Sequence, residues 1–139
     1  MDVRDLIKRH EGLKLKPYYD TVSKLTIGWG RNLTDVGISR KEAEILLDTD
    51  IATARLHASI FEWFDELDEV RQAVVIDMLF NLGPNKFRGF KGTIRALEGR
   101  AFTSAADRML DSLWAKQVGK RAKRLAEMMR TGVFPPELA

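Results

Sequence analysis

Apolar residues recur at two different periods along this chain, and the change of period divides it. Val3, Leu6, Ile7 and His10 fall at helical spacing behind Asp2, which can cap, and Gly12 can end that helix. From Leu13 the period shortens. Leu13 and Leu15 alternate with lysines, and TVSK reads as a turn. In LTIGWG, Leu25, Ile27 and Trp29 share one face, with Thr26 and the glycines on the other. The pattern predicts a short β-hairpin.

At Ser39 the helical period returns. Ser39 and Glu42 form a capping-box pattern, and Ala43, Leu46, Leu47 and Ile51 continue the run to about residue 59. An aromatic segment, IFEWFDEL, follows. Asp68 can cap EVRQAVVIDMLFNLG, which is apolar nearly all round and therefore central, and Gly83-Pro84 stops it. Three shorter helical runs, TIRALEG, SAADRMLDSLW and GKRAKRLAEMMRTG, complete the chain. The reading is an α+β protein with a segregated hairpin and a mostly helical body. One domain spans 1–139: an N-terminal helix over 2–11, a small lobe over about 12–38, a connecting helix over about 39–59, and a helical lobe from about 60.

Composition narrows the possibilities. There is no Cys, which removes disulfides, thiolate metal sites and Cys nucleophiles, and two His are too few for a His-rich metal site. No metal or cofactor is called for. No apolar run approaches the ~20 residues of a membrane span, and the acids near the N-terminus do not suit a signal peptide. Charge is uneven. Residues 86–130 hold twelve Lys/Arg and four Asp/Glu, a net +8 in a chain of net +3. Such asymmetry points to an anionic partner.

The candidate chemistry lies in HEGLKLKPYYDTVSKLTIGWG. Glu11 occupies the last turn of a helix, where the macrodipole disfavours a carboxylate. A carboxyl held protonated there suits a general acid. Read singly, each residue has an ordinary explanation: Glu11 a surface acid before a glycine, Asp20 a turn residue, Thr26 a strand residue. Together they supply an acid, a base and a hydroxyl able to hold a water. If the hairpin folds back over the helix end, two opposed carboxylates are the equipment of glycoside hydrolysis.

EGLKLKPYYD and TIGWG, followed in order by ISRKEAEILLDTDI, RQAVVIDMLFNLG, FRGFKGTIRAL, LWAKQVGKRAKR and MRTGVF, closely resemble the phage-type lysozymes. The resemblance covers Glu11 to Phe134. It implies a lysozyme-like fold of two lobes that close around a polymer by a hinge motion. The implied activity is a muramidase that cuts the β-1,4 bond between N-acetylmuramic acid and N-acetylglucosamine of peptidoglycan. By position, Glu11 would be the general acid, Asp20 the base acting on water, and Thr26 the residue holding that water. Phe80, Asn81 and Thr93 would line the saccharide cleft, and Arg121 would pair with Glu11. Ordinary readings compete here too: core packing for Phe80, a solvated basic face for Arg121. For Trp114 the core reading is preferred.

Three departures stand out. GRNLTDVG runs directly into the long helix where relatives carry a longer loop. Arg31 stands where the family often has His, and Arg108 where some relatives have an uncharged polar residue. The implied partner is peptidoglycan, with no nucleic acid and no stable membrane association, and the chain is expected to be a monomer. A phage protein of this kind would wait in the host cytoplasm until the membrane is permeabilised and then act at the cell wall. Rival readings are an inactive peptidoglycan-binding protein, a basic nucleic-acid-binding module, and a lytic transglycosylase that forms a 1,6-anhydro product.

Overall fold

The computed structural model describes residues 1–138. Its elements are α1 (Val3–Glu11), β1 (Lys14–Tyr19), β2 (Leu25–Gly28), β3 (Arg31–Asn32), α2 (Arg40–Ala58), α3 (Glu69–Leu82), α4 (Pro84–Arg88), α5 (Lys91–Glu98), α6 (Phe102–Leu110), α7 (Leu113–Val118) and α8 (Lys120–Thr131). This is an α+β fold with one small antiparallel sheet. The chain forms two compact units, Met1–Leu47 and Asp48–Ala139.

In the first unit, α1 begins at a reciprocal cap. Asp2 accepts from the Asp5 amide at 2.9 Å, and the Asp5 carboxylate accepts from the Asp2 amide. The sheet has the order β1-β2-β3, one strand more than the expected hairpin. Two-residue β3 is too short for a hydrophobic period to reveal it. Thr26 on β2 pairs with Tyr18 on one side and Asn32 on the other. Thr26 is only 3% exposed although it lies on the polar face of its strand. β1 is an edge strand, and its register slips between Lys14 and Tyr18, across Pro17. Proline has no amide to donate, so an edge or a bulge is where it is tolerated.

Arg31 fastens the loop after the sheet. Its guanidinium donates to the Gly37 carbonyl at 3.2 Å and to Glu42 at 2.8 Å. Glu42 also accepts from the Ser39 amide at 3.0 Å, while Ser39 Oγ accepts from the Glu42 amide at 3.1 Å, completing the expected capping box.

In the second unit α3 is the central helix, burying Val74, Val75, Met78 and Leu79. Phe87, Leu97, Met109, Trp114 and Met129 pack into the same core. Arg71 ties three helices together. It donates to the Met129 and Arg130 carbonyls at 2.7 and 2.9 Å, capping the end of α8, and its guanidinium stacks 3.9 Å from the Phe102 ring centroid. A side chain on Gly132, whose φ is +70°, would meet Arg71 at 2.8 Å, so both conformation and space require glycine there.

Two helix boundaries differ from the pattern reading. Gly83-Pro84 ends α3 but also opens α4, because proline suits the first helical position. SAADRMLDSLW is broken at Asp111-Ser112, where Ser112 Oγ accepts from the Ala115 amide and starts α7.

Candidate active site

Glu11, Asp20 and Thr26 all belong to the first unit. Glu11 is the final residue of α1, is exposed, and is followed by Gly12 at φ +69°. The tight turn joining β2 to β3 lies against it. A Cβ on Gly30 would fall 2.5 Å from Glu11 Oε2, so the bare glycine backbone is what admits the carboxylate. Gly30 also has φ +79°, a conformation that L side chains rarely adopt. Lys8, one turn back on α1, places Nζ 4.5 Å from the Trp29 ring centroid. The GWG turn thus seats on the last turn of α1 through both its aromatic and its glycine.

Asp20 follows β1 directly. Its Oδ1 accepts from the amides of Val22 and Lys24, each at 2.9 Å, and its own amide donates to the Lys24 carbonyl at 2.9 Å. This local loop is what Asp forms before a turn. One carboxylate oxygen is anchored, and Oδ2 makes no hydrogen bond among the described residues. Thr26 Oγ1 donates to the Lys24 carbonyl at 2.9 Å. Its proton is engaged, so toward a water the hydroxyl acts as an acceptor. Lys24 is therefore shared: its backbone receives Thr26 and binds Asp20, coupling base candidate and water-holding candidate through one residue.

The second unit holds the other candidates, and they do not line one pocket. Phe80 is 43% exposed, which rejects full core burial, and borders a pocket of about 300 Å³ with Asp50, Thr53 and His57. Asn81 accepts a 2.7 Å hydrogen bond at Oδ1 from Trp114 Nε1. Trp114 is buried, as its core reading expects, but its indole N–H also sets the Asn81 carboxamide so that the amide donors stay available. Thr93 is 2% exposed and lines a separate pocket with Arg108. Arg121 donates to Asp77 at 2.8 Å from Nε and lies 2.7 Å from it at Nη2. Sequence reading singled out neither Asp77 nor Gly30. Gly30 had a signal in the GWG turn; Asp77, a turn and a half before the end of an apolar helix and 44 positions from its partner, had none.

Glu42 is the titratable group that its surroundings shift most. The Arg31 hydrogen bond and then the Ser39 amide lower its pKa from 4.5 to about 2. Among the described residues no cluster of His, Asp or Glu has the arrangement of a metal site, and no helix is long and apolar enough to cross a membrane.

The chain resembles known proteins along most of its length. The phage lysozyme family matches residues 8–130. Probable T4-type lysozyme 1 of Dictyostelium discoideum is 26% identical over 162 aligned positions, covering 95% of each chain. That span exceeds the 139 residues here, so the relative carries segments this chain lacks. An endolysin of Acyrthosiphon pisum secondary endosymbiont phage 1 is 32% identical over 84% of this chain and 80% of its own. The pre-baseplate central spike protein Gp5 of Enterobacteria phage T4 is 25% identical over 95% of this chain but only 28% of its own length. With matched residues running from within α1 to near the end of α8, the chain belongs to the phage lysozyme family.

Proposed function

We propose that this lysozyme-like peptidoglycan hydrolase is a muramidase, cutting the β-1,4 bond between N-acetylmuramic acid and N-acetylglucosamine with Glu11 as acid and Asp20 as base. The observation that carries the reading is how the two carboxylates are held. Glu11 lies against the bare backbone of Gly30, and Asp20 is anchored through Oδ1 with Oδ2 left unengaged. Glu11 donates its proton to the glycosidic oxygen as the bond breaks. Positive charge then develops at the anomeric carbon. Ionised Asp20 stabilises that charge and takes a proton from water, and Thr26 Oγ1 accepts the water's other hydrogen. Attack opposite the leaving group inverts the anomeric centre. No metal or cofactor takes part in these steps.

Phe80 offers an aromatic face, Asn81 its free amide donors and Thr93 a hydroxyl to the polymer, while the Arg121 guanidinium is engaged by Asp77. The protein works as a monomer on peptidoglycan, without nucleic acid, and reaches the wall from the host cytoplasm once the membrane is opened.

The test is turbidity of outer-membrane-permeabilised Gram-negative cells, with the products weighed. Parent protein should clear the cells and leave reducing muramic acid ends. Glu11→Gln should lose on the order of 10²–10⁴-fold in rate with an unchanged melting temperature. Asp20→Ala should be crippled too, and Thr26→Ala less so. Retained activity in Glu11→Gln would sink the acid assignment. Anhydro products would instead identify a transglycosylase.

A further inference from the structure

We propose that Trp29 is a positioning residue for the acid: its indole face holds the Lys8 ammonium and keeps that cation from pairing with Glu11. The proposal rests on the reading of Glu11 as general acid for its consequence, though not for its geometry.

Lys8 and Glu11 stand three positions apart on α1, a spacing at which opposite charges pair on a helix surface. Helical side chains lean toward the N-terminus, so Glu11 leans back over the turn that carries Lys8. An ion pair is the ordinary expectation. The structure has none: Lys8 Nζ lies 4.5 Å from the Trp29 ring centroid, and neither Lys8 nor Glu11 forms an ion pair within their unit. Lys before Glu is the weaker order for a helical pair, whereas indole is the best aromatic partner for a cation. The ring can therefore compete for the ammonium.

One turn treats the two charges differently. Gly28 and Gly30 flank Trp29 at φ +71° and +79°, so the direction of the ring is set by backbone that L side chains rarely adopt. Trp29 takes the cation, and the bare backbone of Gly30 admits the carboxylate. The surrounding charges are engaged or turned away. Asp5, the other carboxylate three positions from Lys8, belongs to the cap of α1. Arg31 lies 2.7 Å from Glu42. Arg9 and His10 fall on other sides of the helix from Glu11. Arg121, which the family resemblance assigns to the acid, is taken by Asp77 in the helical unit. An ammonium beside a carboxyl favours the ionised form, and an ionised acid has no proton for the leaving oxygen. Diverting Lys8 removes that effect at the acid.

The experiment compares full-length Trp29→Leu, Lys8→Met and the double variant in hydrolysis of solubilised peptidoglycan, with melting temperatures recorded. The carbon-13 signal of the Glu11 carboxyl is read beside it at neutral pH. Trp29→Leu should lower kcat about tenfold, the loss of protonated acid for a one-unit shift, and move the alkaline limb of the rate profile to lower pH. Adding Lys8→Met should restore most of the rate, because the released cation is then gone; a ring that only supports the turn allows no such rescue. Trp29→Phe keeps a weaker face for the ammonium. It should fall between parent and Trp29→Leu, and with and without Lys8→Met it repeats the test should Trp29→Leu fail to fold. The Glu11 signal should move in Trp29→Leu and return in the double variant. Absence of rescue overturns the proposal, as does a Lys8→Met variant as impaired as Trp29→Leu. Peptidoglycan left uncut by the parent, or cut by Glu11→Gln, removes the acid reading, while the carboxyl signal still decides whether Trp29 keeps Lys8 from Glu11.

Discussion

The two units of this chain are held together by different forces. Every buried apolar side chain among the described residues lies between Ala54 and Met129, in the helical unit. The N-terminal unit buries Thr26, while Val3, Leu15, Val22 and Ile45 remain exposed. Its order comes from directed polar contacts: the Asp2–Asp5 cap, the Asp20 loop, Thr34 Oγ1 accepting from the Leu25 amide at 2.8 Å, and the Arg31–Glu42 pair. The proposed acid and base sit in this second kind of structure. Side chains that meet a polymer must stay accessible, whereas a hydrophobic core requires the opposite. Substitutions of the proposed acid and base should therefore cost activity with little stability, whereas substitutions in the helical core should cost stability.

The largest stability effect tests that split directly. Met109→Ala, emptying a fully buried position, should cost about 2–5 kcal/mol. Leu15→Ala, at an 80% exposed position, should stay within about 0.5 kcal/mol. Urea titration of both reads the difference, and equal costs would break the comparison. Gly30→Ala is next. Its positive φ should cost about 1–2 kcal/mol. The added methyl must also push Glu11 aside, so lysis should fall about tenfold or more, beyond what the loss of folded protein explains. Full activity in that variant would mean that the turn does not set the acid.

Trp114→Phe sharpens the comparison from within the helical unit. It keeps most of the core packing and removes the hydrogen bond to Asn81, at about 1 kcal/mol. If Asn81 binds the polymer, KM should rise with kcat little changed. The smallest effect is visible only in acid. The Glu42 pKa is depressed when folded, so its contribution to stability is present above 4.5 and is lost as pH falls toward about 2. Glu42→Gln should flatten the melting temperature across that window and leave it nearly unaffected in shape above it.

Much of the scaffold was legible from local pattern. Asp2, Ser39 and Asp68 cap helices as their positions suggest, because capping depends on a side chain and amides three residues away. The apolar run in α3 read as central for the same kind of reason: no face of it is polar enough for water. β3 and the break at Asp111-Ser112 were harder, since pieces of two to six residues carry too little periodicity. Glu11, Asp20 and Thr26 were individually ordinary, and it was the resemblance of their whole constellation that set them apart.

By itself the sequence determined the helical period, the caps, the turn glycines and the order of the family's motifs, all of which depend on neighbours along the chain. Only the tertiary structure decided that Thr26 is buried, that Phe80 faces outward, that Trp114 orients Asn81, and that Arg121 meets Asp77. Those outcomes depend on which distant residue arrives alongside, and hydrophobic periodicity, being nearly indifferent to identity beyond polar or apolar, does not encode that.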